Sequence, residues 1–118
     1  MSVKEVVPYE EVKKYLVDFV AKVKAVFGDK LDQVILYGSY ARGDYDENSD
    51  VDIMILADIP QNKIGAYFRS LSSLSYDFYV KHAIEIRPNA NNTNFFLARK
   101  DTYPFYTEVV KDGEILYG

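Results

Sequence analysis

The chain contains no cysteine. That excludes disulfides and thiolate metal sites, and it is compatible with a cytoplasmic location. Histidine is limited to His82, which alternates with core-type residues and is expected to be a packed or surface side chain rather than a ligand or base. No long apolar run is present. The longest lies around Val51 to Ala57, far short of the about 20 residues that a membrane-spanning helix needs. The N-terminal MSVKEVVPYEE lacks an apolar run after a basic start, so no secretory leader is expected. A dense basic run is also missing: Lys13 and Lys14, Lys22 and Lys24, and Arg99 and Lys100 are scattered. With 14 basic against 18 acidic residues the formal charge is -4, which disfavours a long nucleic-acid duplex while leaving room for a single-stranded end held by a few contacts.

What is present fits one globular domain, 1–118. The chain has 118 residues, 48% of them hydrophobic, enough for one core and no second. The 11 tyrosines are expected to serve strand and core packing more than base stacking.

Hydrophobic spacing divides the chain into alternating elements. Val12, Leu16, Phe19, Val23 and Val26 repeat at helical spacing within Pro8–Phe27, and Gly28 supplies a stop. Gln33–Tyr37 reads as a buried strand broken by Gly38, and Ser39–Arg42 as a tight turn feeding a short helix. After the polar loop Gly43–Ser49, Asp50–Leu56 alternates as a strand does. Pro60 opens a second helix with Ile64, Phe68, Leu71, Leu74 and Ser75 on one face. Asp77–Arg87 reads as a third extended stretch, because Phe78, Val80, His82, Ile84 and Ile86 share one parity. Asn89–Asn94 reads as a turn or loop, Phe95–Lys100 and Thr102–Lys111 as short helices, and Glu114–Tyr117 as an edge strand. The fold expected is α/β (α+β): a mixed sheet of three to five strands with helices packed mainly on one face.

Two small features carry chemistry. Gly38-Ser39 ends a strand and begins a helical turn, where free backbone amides favour a phosphate. Asp50 and Asp52 lie on one side of a strand, with Cα atoms about 6.6 Å apart. Bare carboxylates at that separation repel by roughly 2.5 kcal/mol at an effective dielectric of about 20. A divalent cation resolves that repulsion, and oxygen ligands select magnesium or manganese. A calcium loop beginning at Asp44-x-Asp46-x-Asn48 fails, because Ser49 and Ile55 stand where glycine and glutamate are required.

The stretch GSYARGDYDENSDVDIMIL, Gly38 to Leu56, resembles the signature of the DNA polymerase β-like nucleotidyltransferases. In length the chain is similar to the minimal nucleotidyltransferases of HEPN/MNT toxin–antitoxin pairs. The resemblance implies a palm-like sheet and two Mg2+ ions, with Mn2+ as a substitute, held by Asp50, Asp52 and a third carboxylate. Glu85 is preferred for that place because it interrupts the apolar run Ala83–Ile86, with Asp77 as the alternative; a pairing of Glu85 with Arg87 or Lys81 is the competing structural reading. Gly38 and Ser39 would bind the phosphates of a nucleoside triphosphate, ATP in the first instance. Arg42 would contact phosphate or else anchor the acidic loop through Asp44 or Asp46. The implied activity is transfer of AMP to a hydroxyl of a HEPN-type protein partner. The alternatives are a non-catalytic docking subunit, or transfer to a small molecule or RNA end.

Overall fold

The computed structural model describes residues 5–118. Residues 1–4, the start of the segment read above as unlike a secretory leader, lie outside it. Helix α1 spans Tyr9–Phe27, entered from Pro8, with Glu10 and Glu11 at its positive end and Lys24 near its negative end. Gly28, at φ +59, turns the chain into a 3₁₀ turn over Gly28–Lys30. Then follow β1 (Leu31–Tyr37), the short helix α2 (Ser39–Arg42), β2 (Val51–Ala57), a 3₁₀ segment Gln61–Tyr67 and α3 (Phe68–His82). The chain continues through β3 (Ile86–Asn92), α4 (Thr93–Arg99), α5 (Pro104–Asp112) and β4 (Glu114–Tyr117).

The four strands form one mixed sheet in the order β3-β2-β1-β4. β1 is antiparallel to β2 and β4, while β2 and β3 run parallel. The mixed α/β class is the one expected from sequence. The two long helices α1 and α3 cover one face, meeting Val34, Leu36, Val51, Ile53 and Ile55. The short helices α4 and α5 cover part of the other, where Phe96, Tyr106 and Val109 pack on Ile35, Met54 and Leu56. Packing is therefore not confined to one face. Two-sided cover explains why β2 is apolar on both sides beyond Asp52: Ile53 through Ala57 have no accessible surface. Burying an aliphatic side chain of this size stabilises the fold by about 1.5–3 kcal/mol, so β2 is the centre of the core. Among the described residues no helix is long and apolar enough to cross a membrane.

Two elements differ from the sequence reading. Residues 77–82 belong to α3, not to a strand. Phe78 faces the core beside Leu71, while Tyr76, Tyr79 and Val80 are exposed. Helical spacing thus overrides the alternation. The helix stops at Ala83, at φ +56, a conformation for which glycine is the usual residue, so no composition cue marks the end. The asparagine-rich stretch is likewise strand rather than loop. Asn91 is buried and satisfied by other side chains: its amide donates to Asn89 Oδ1, and its oxygen accepts from Gln61 and from the Tyr106 hydroxyl. Asn92 Oδ1 then accepts from the Phe95 amide and caps α4. Phe68, expected on the inner face of its helix, is exposed. His82 is packed as expected, stacked on Tyr15 with ring centroids 4.0 Å apart.

Candidate active site

Alternation along β2 sends Val51, Ile53 and Ile55 into the core under α1 and α3. It leaves Asp50, Asp52, Met54 and Leu56 on the opposite face. The helices α4 and α5 cover part of that face, and Phe105 of α5 packs edge-on against Tyr37, the cross-strand neighbour of Asp52. Asp52 sits between Tyr37 of β1 and Arg87 of β3 in the strand register. Burial raises its pKa and the neighbouring Asp50 raises it further, while Arg87 and Arg42 work in the opposite direction. Tyr37 is pushed up to about 12, chiefly by burial and then by the Asp52 charge. Both effects describe a negatively charged, partly dehydrated floor on this face of the sheet.

The Gly-Ser turn is built against that floor. Gly38 has φ +76, and a Cβ placed there would overlap the Asp52 carboxylate. Only glycine satisfies both the backbone conformation and the close approach. The turn feeds α2, whose Tyr40 is buried, stacks on Tyr45 with centroids 4.2 Å apart, and donates its hydroxyl to the Val7 carbonyl at 2.9 Å. Ser39 therefore begins a helix that is anchored from beneath. Its carbonyl accepts from the Gly43 and Asp44 amides. Arg42 reaches Asp44 at 3.2 Å and Asp112 at 3.5 Å, so it anchors the acidic loop and ties it to α5. The loop's own oxygens are also engaged: Asp46 Oδ1 accepts from the Asn48 amide.

Glu85 lies immediately before β3. The Val51 amide donates to its carbonyl at 2.9 Å, and Val51 pairs with Ile86, which brings Glu85 alongside Asp50. Its side chain is exposed, in contrast to the buried charge expected from its apolar neighbours. Ile84 and Ile86 go into the core and Glu85 takes the other side, at the open end of the sheet. Asp77 is elsewhere, on α3 beside Asp18 and Lys22 of α1. A cleft of about 470 Å³ joins Asp50 and Glu85 to Tyr40, Asp46 and Ser49.

The residue missed from sequence is Arg87. It does not pair with Glu85; its Nε lies 2.9 Å from Asp50 Oδ2. Its place across from Asp52 depends on strand register, which the misread start of β3 concealed. Among the described residues no group of three or more acidic or histidine side chains is gathered tightly enough to hold a metal. The cluster observed is two carboxylates and one guanidinium, with Glu85 at the margin. The donor set nevertheless fits a hard divalent cation. It is all oxygen, carries more negative than positive charge, and includes a half-buried carboxylate whose charged form burial disfavours.

The site thus sets two carboxylates at one end of β2 beside a Gly-Ser turn. The nucleotidyltransferase domain model matches residues 10–111, and the chain belongs to that family. It is 30% identical over 105 residues to a Methanocaldococcus jannaschii protein named "putative protein adenylyltransferase", covering 89% of this chain and 97% of that one. A second protein of that name and organism is 54% identical over 46 residues, 39% of this chain and 46% of that one. Among solved structures, a nucleotidyltransferase from Sulfolobus solfataricus, so described with the qualifier "putative", has a TM-score of 0.63 at 22% identity, with 92% of this chain and 82% of that one covered. A toxin–antitoxin structure with AMP-PNP has a TM-score of 0.58 at 21% identity, covering 90% and 73%. At these identities the structural likeness speaks for the fold.

Proposed function

We propose that this nucleotidyltransferase moves AMP from ATP onto a hydroxyl of a protein partner, a HEPN-type toxin, and acts as its antitoxin. The observation that carries the metal-dependent part is the pair Asp50 and Asp52 at one end of β2, with Asp52 half-buried and packed against the Gly38 turn. Asp50, Asp52 and Glu85 would hold two Mg2+ ions, or Mn2+ in their place. Bound there, the metal would neutralise charge on the leaving pyrophosphate and acidify the acceptor hydroxyl. The Gly38 and Ser39 amides would hold the β- and γ-phosphates. Arg42, already committed to Asp44 and Asp112, would add positive potential near Asp52. The acceptor oxygen forms a bond to the α-phosphorus as the bond to the bridging oxygen breaks. Pyrophosphate leaves with that electron pair, and Glu85 accepts the hydroxyl proton. Positioning and charge neutralisation supply the rate, with no covalent enzyme intermediate.

A protein acceptor is supported by the acidic chain with its scattered basic residues and by the name of the M. jannaschii relatives. A toxin partner is supported by the fold shared with toxin–antitoxin structures, one of them titled MntA-HpeT. Incubation with labelled ATP, Mg2+ and a HEPN-type protein encoded beside this chain tests the reading. The partner should gain AMP on a hydroxyl side chain, and Asp50→Asn with Asp52→Asn should eliminate the label. Protection of the toxin by that double variant, with no covalent mark, would replace catalysis by docking. Label on RNA 3′ ends or on a small molecule would replace the acceptor.

A further inference from the structure

Arg87 faces Asp52 across the parallel β2–β3 ladder and reaches back to Asp50, with Nε 2.9 Å from Oδ2. The pair is asymmetric: the Asp50 side chain is 22% exposed and that of Arg87 is 69% exposed. The Asp50 carboxylate is thus mostly covered, while the Arg87 side chain stands mostly in solvent. Among the described residues this is the only ion pair that Arg87 makes, and no hydrogen bond engages its terminal nitrogens.

A guanidinium and a divalent cation compete for the same carboxylate oxygens. Arg87 Nε lies against Asp50 Oδ2, and a divalent cation ligated by Asp50 needs the oxygens of that same carboxylate. Arg87 then has to leave Asp50, and a planar guanidinium leaving a carboxylate is well matched to the oxygens of a phosphate. Resting on the metal–triphosphate reading of Asp50 and Asp52, we propose that Arg87 is a nucleotide-binding residue held in reserve: it pairs with Asp50 before loading and moves onto a phosphate oxygen of the nucleotide when Asp50 takes the metal. Asp50 then exchanges one cation for another, and Arg87 exchanges one anion for another. Metal and nucleotide thereby favour each other's binding, and the coupling is reciprocal.

Mn2+ binding to the purified full chain, followed by loss of the free-ion electron paramagnetic resonance signal, tests this without any turnover. In the absence of nucleotide, Arg87→Gln should bind Mn2+ about fivefold more tightly than wild type, the effect expected when a partly exposed ionic competitor is removed. Arg87→Met, which keeps the stem of the side chain, should behave alike and serves as the second variant. Arg87→Lys, which keeps the charge, should return toward wild type. Lys81→Gln, which removes a charge from the exposed end of α3, should show no such gain. Adding ATP should tighten Mn2+ binding by a larger factor in wild type than in Arg87→Gln.

Equal Mn2+ affinity of wild type, Arg87→Gln and Arg87→Met, with binding lost in the Asp50→Asn, Asp52→Asn double variant, would overturn the role of Arg87 and leave the metal site standing. A gain in Lys81→Gln equal to that in Arg87→Gln would reduce the effect to overall charge and overturn it as well. No Mn2+ binding by any of these proteins, with or without ATP, would overturn the metal–triphosphate reading and the role of Arg87 together.

Discussion

Asp52 occupies the space that a side chain at Gly38 would need. The turn between β1 and α2 and the carboxylate on β2 are thus one packed unit, although 14 positions separate them in the chain (52 - 38). Gly38→Ala should cost about 1–3 kcal/mol, since it adds both an unfavourable positive φ and an overlap. Urea unfolding would measure this. Adding Asp52→Ala should recover part of the loss by removing the overlap. Simple additivity of the two substitutions would show that they are not in contact.

Asp52 itself opposes folding at neutral pH. Burial raises its pKa above the ordinary 3.8, so the native state favours the protonated form. The associated stability is fully present below the ordinary carboxylate value and lost as pH rises through the raised one. Asp52→Asn should therefore raise the Tm of metal-free protein at neutral pH, and the gain should shrink in acid. The same substitution should abolish divalent-dependent ATP binding, read by calorimetry with and without chelator. A lowered Tm at neutral pH would contradict the electrostatic account.

Glu85 and Asp77 are separated by the structure, so their substitutions should separate too. Under the proposed mechanism Glu85→Gln should reduce transfer by two orders of magnitude or more, within the about 10²–10⁴-fold that a general base contributes. Asp77→Asn, on α3 beside α1, should leave it near wild type. Transfer assays with matched circular dichroism spectra would decide. The reverse order would return the third carboxylate to Asp77.

Stability should also fall in acid through a clasp outside the site. Glu114 of β4 accepts from the Lys13 ammonium and the Tyr9 hydroxyl of α1. Burial alone would raise its pKa, but these two donors outweigh burial and the net direction is down. Its contribution is full above the ordinary glutamate value of 4.5 and disappears as pH falls through the lowered one. Glu114→Gln should be less stable than wild type at neutral pH, and the two unfolding curves should converge in acid. A difference that persists unchanged into acid would assign the loss to packing instead.

Most elements were legible from sequence: α1, β1, α2, β2, α4, α5 and β4. So was the union of the Gly38 turn with Asp50 and Asp52, because turn and strand are close in the chain. Two features were hidden. In residues 77–86 the alternation of Phe78, Val80, His82, Ile84 and Ile86 competes with a helical row through Leu71, Ser75, Phe78 and His82, and exposure of Val80 shows which prevailed. Asparagines signal turns when their amides bond to nearby backbone. Here Asn89 and Asn91 bond to each other, and Asn91 also to Gln61 and Tyr106, partners no local pattern reveals. The error at α3 then concealed Arg87, whose approach to Asp50 depends on where β3 begins.

The clasp of Tyr9 and Lys13 on Glu114 joins residues 105 and 101 positions apart, which makes the fold nearly a closed ring. A circular permutant that links β4 to α1 by a short flexible segment, and opens the chain between α4 and α5, would keep each strand pairing intact. Opening the ring in the Gly43–Ser49 loop instead would cut the covalent path from α2 to β2. The same four-stranded sheet could then assemble, but the distance between Gly38 and Asp52 would be set by packing alone.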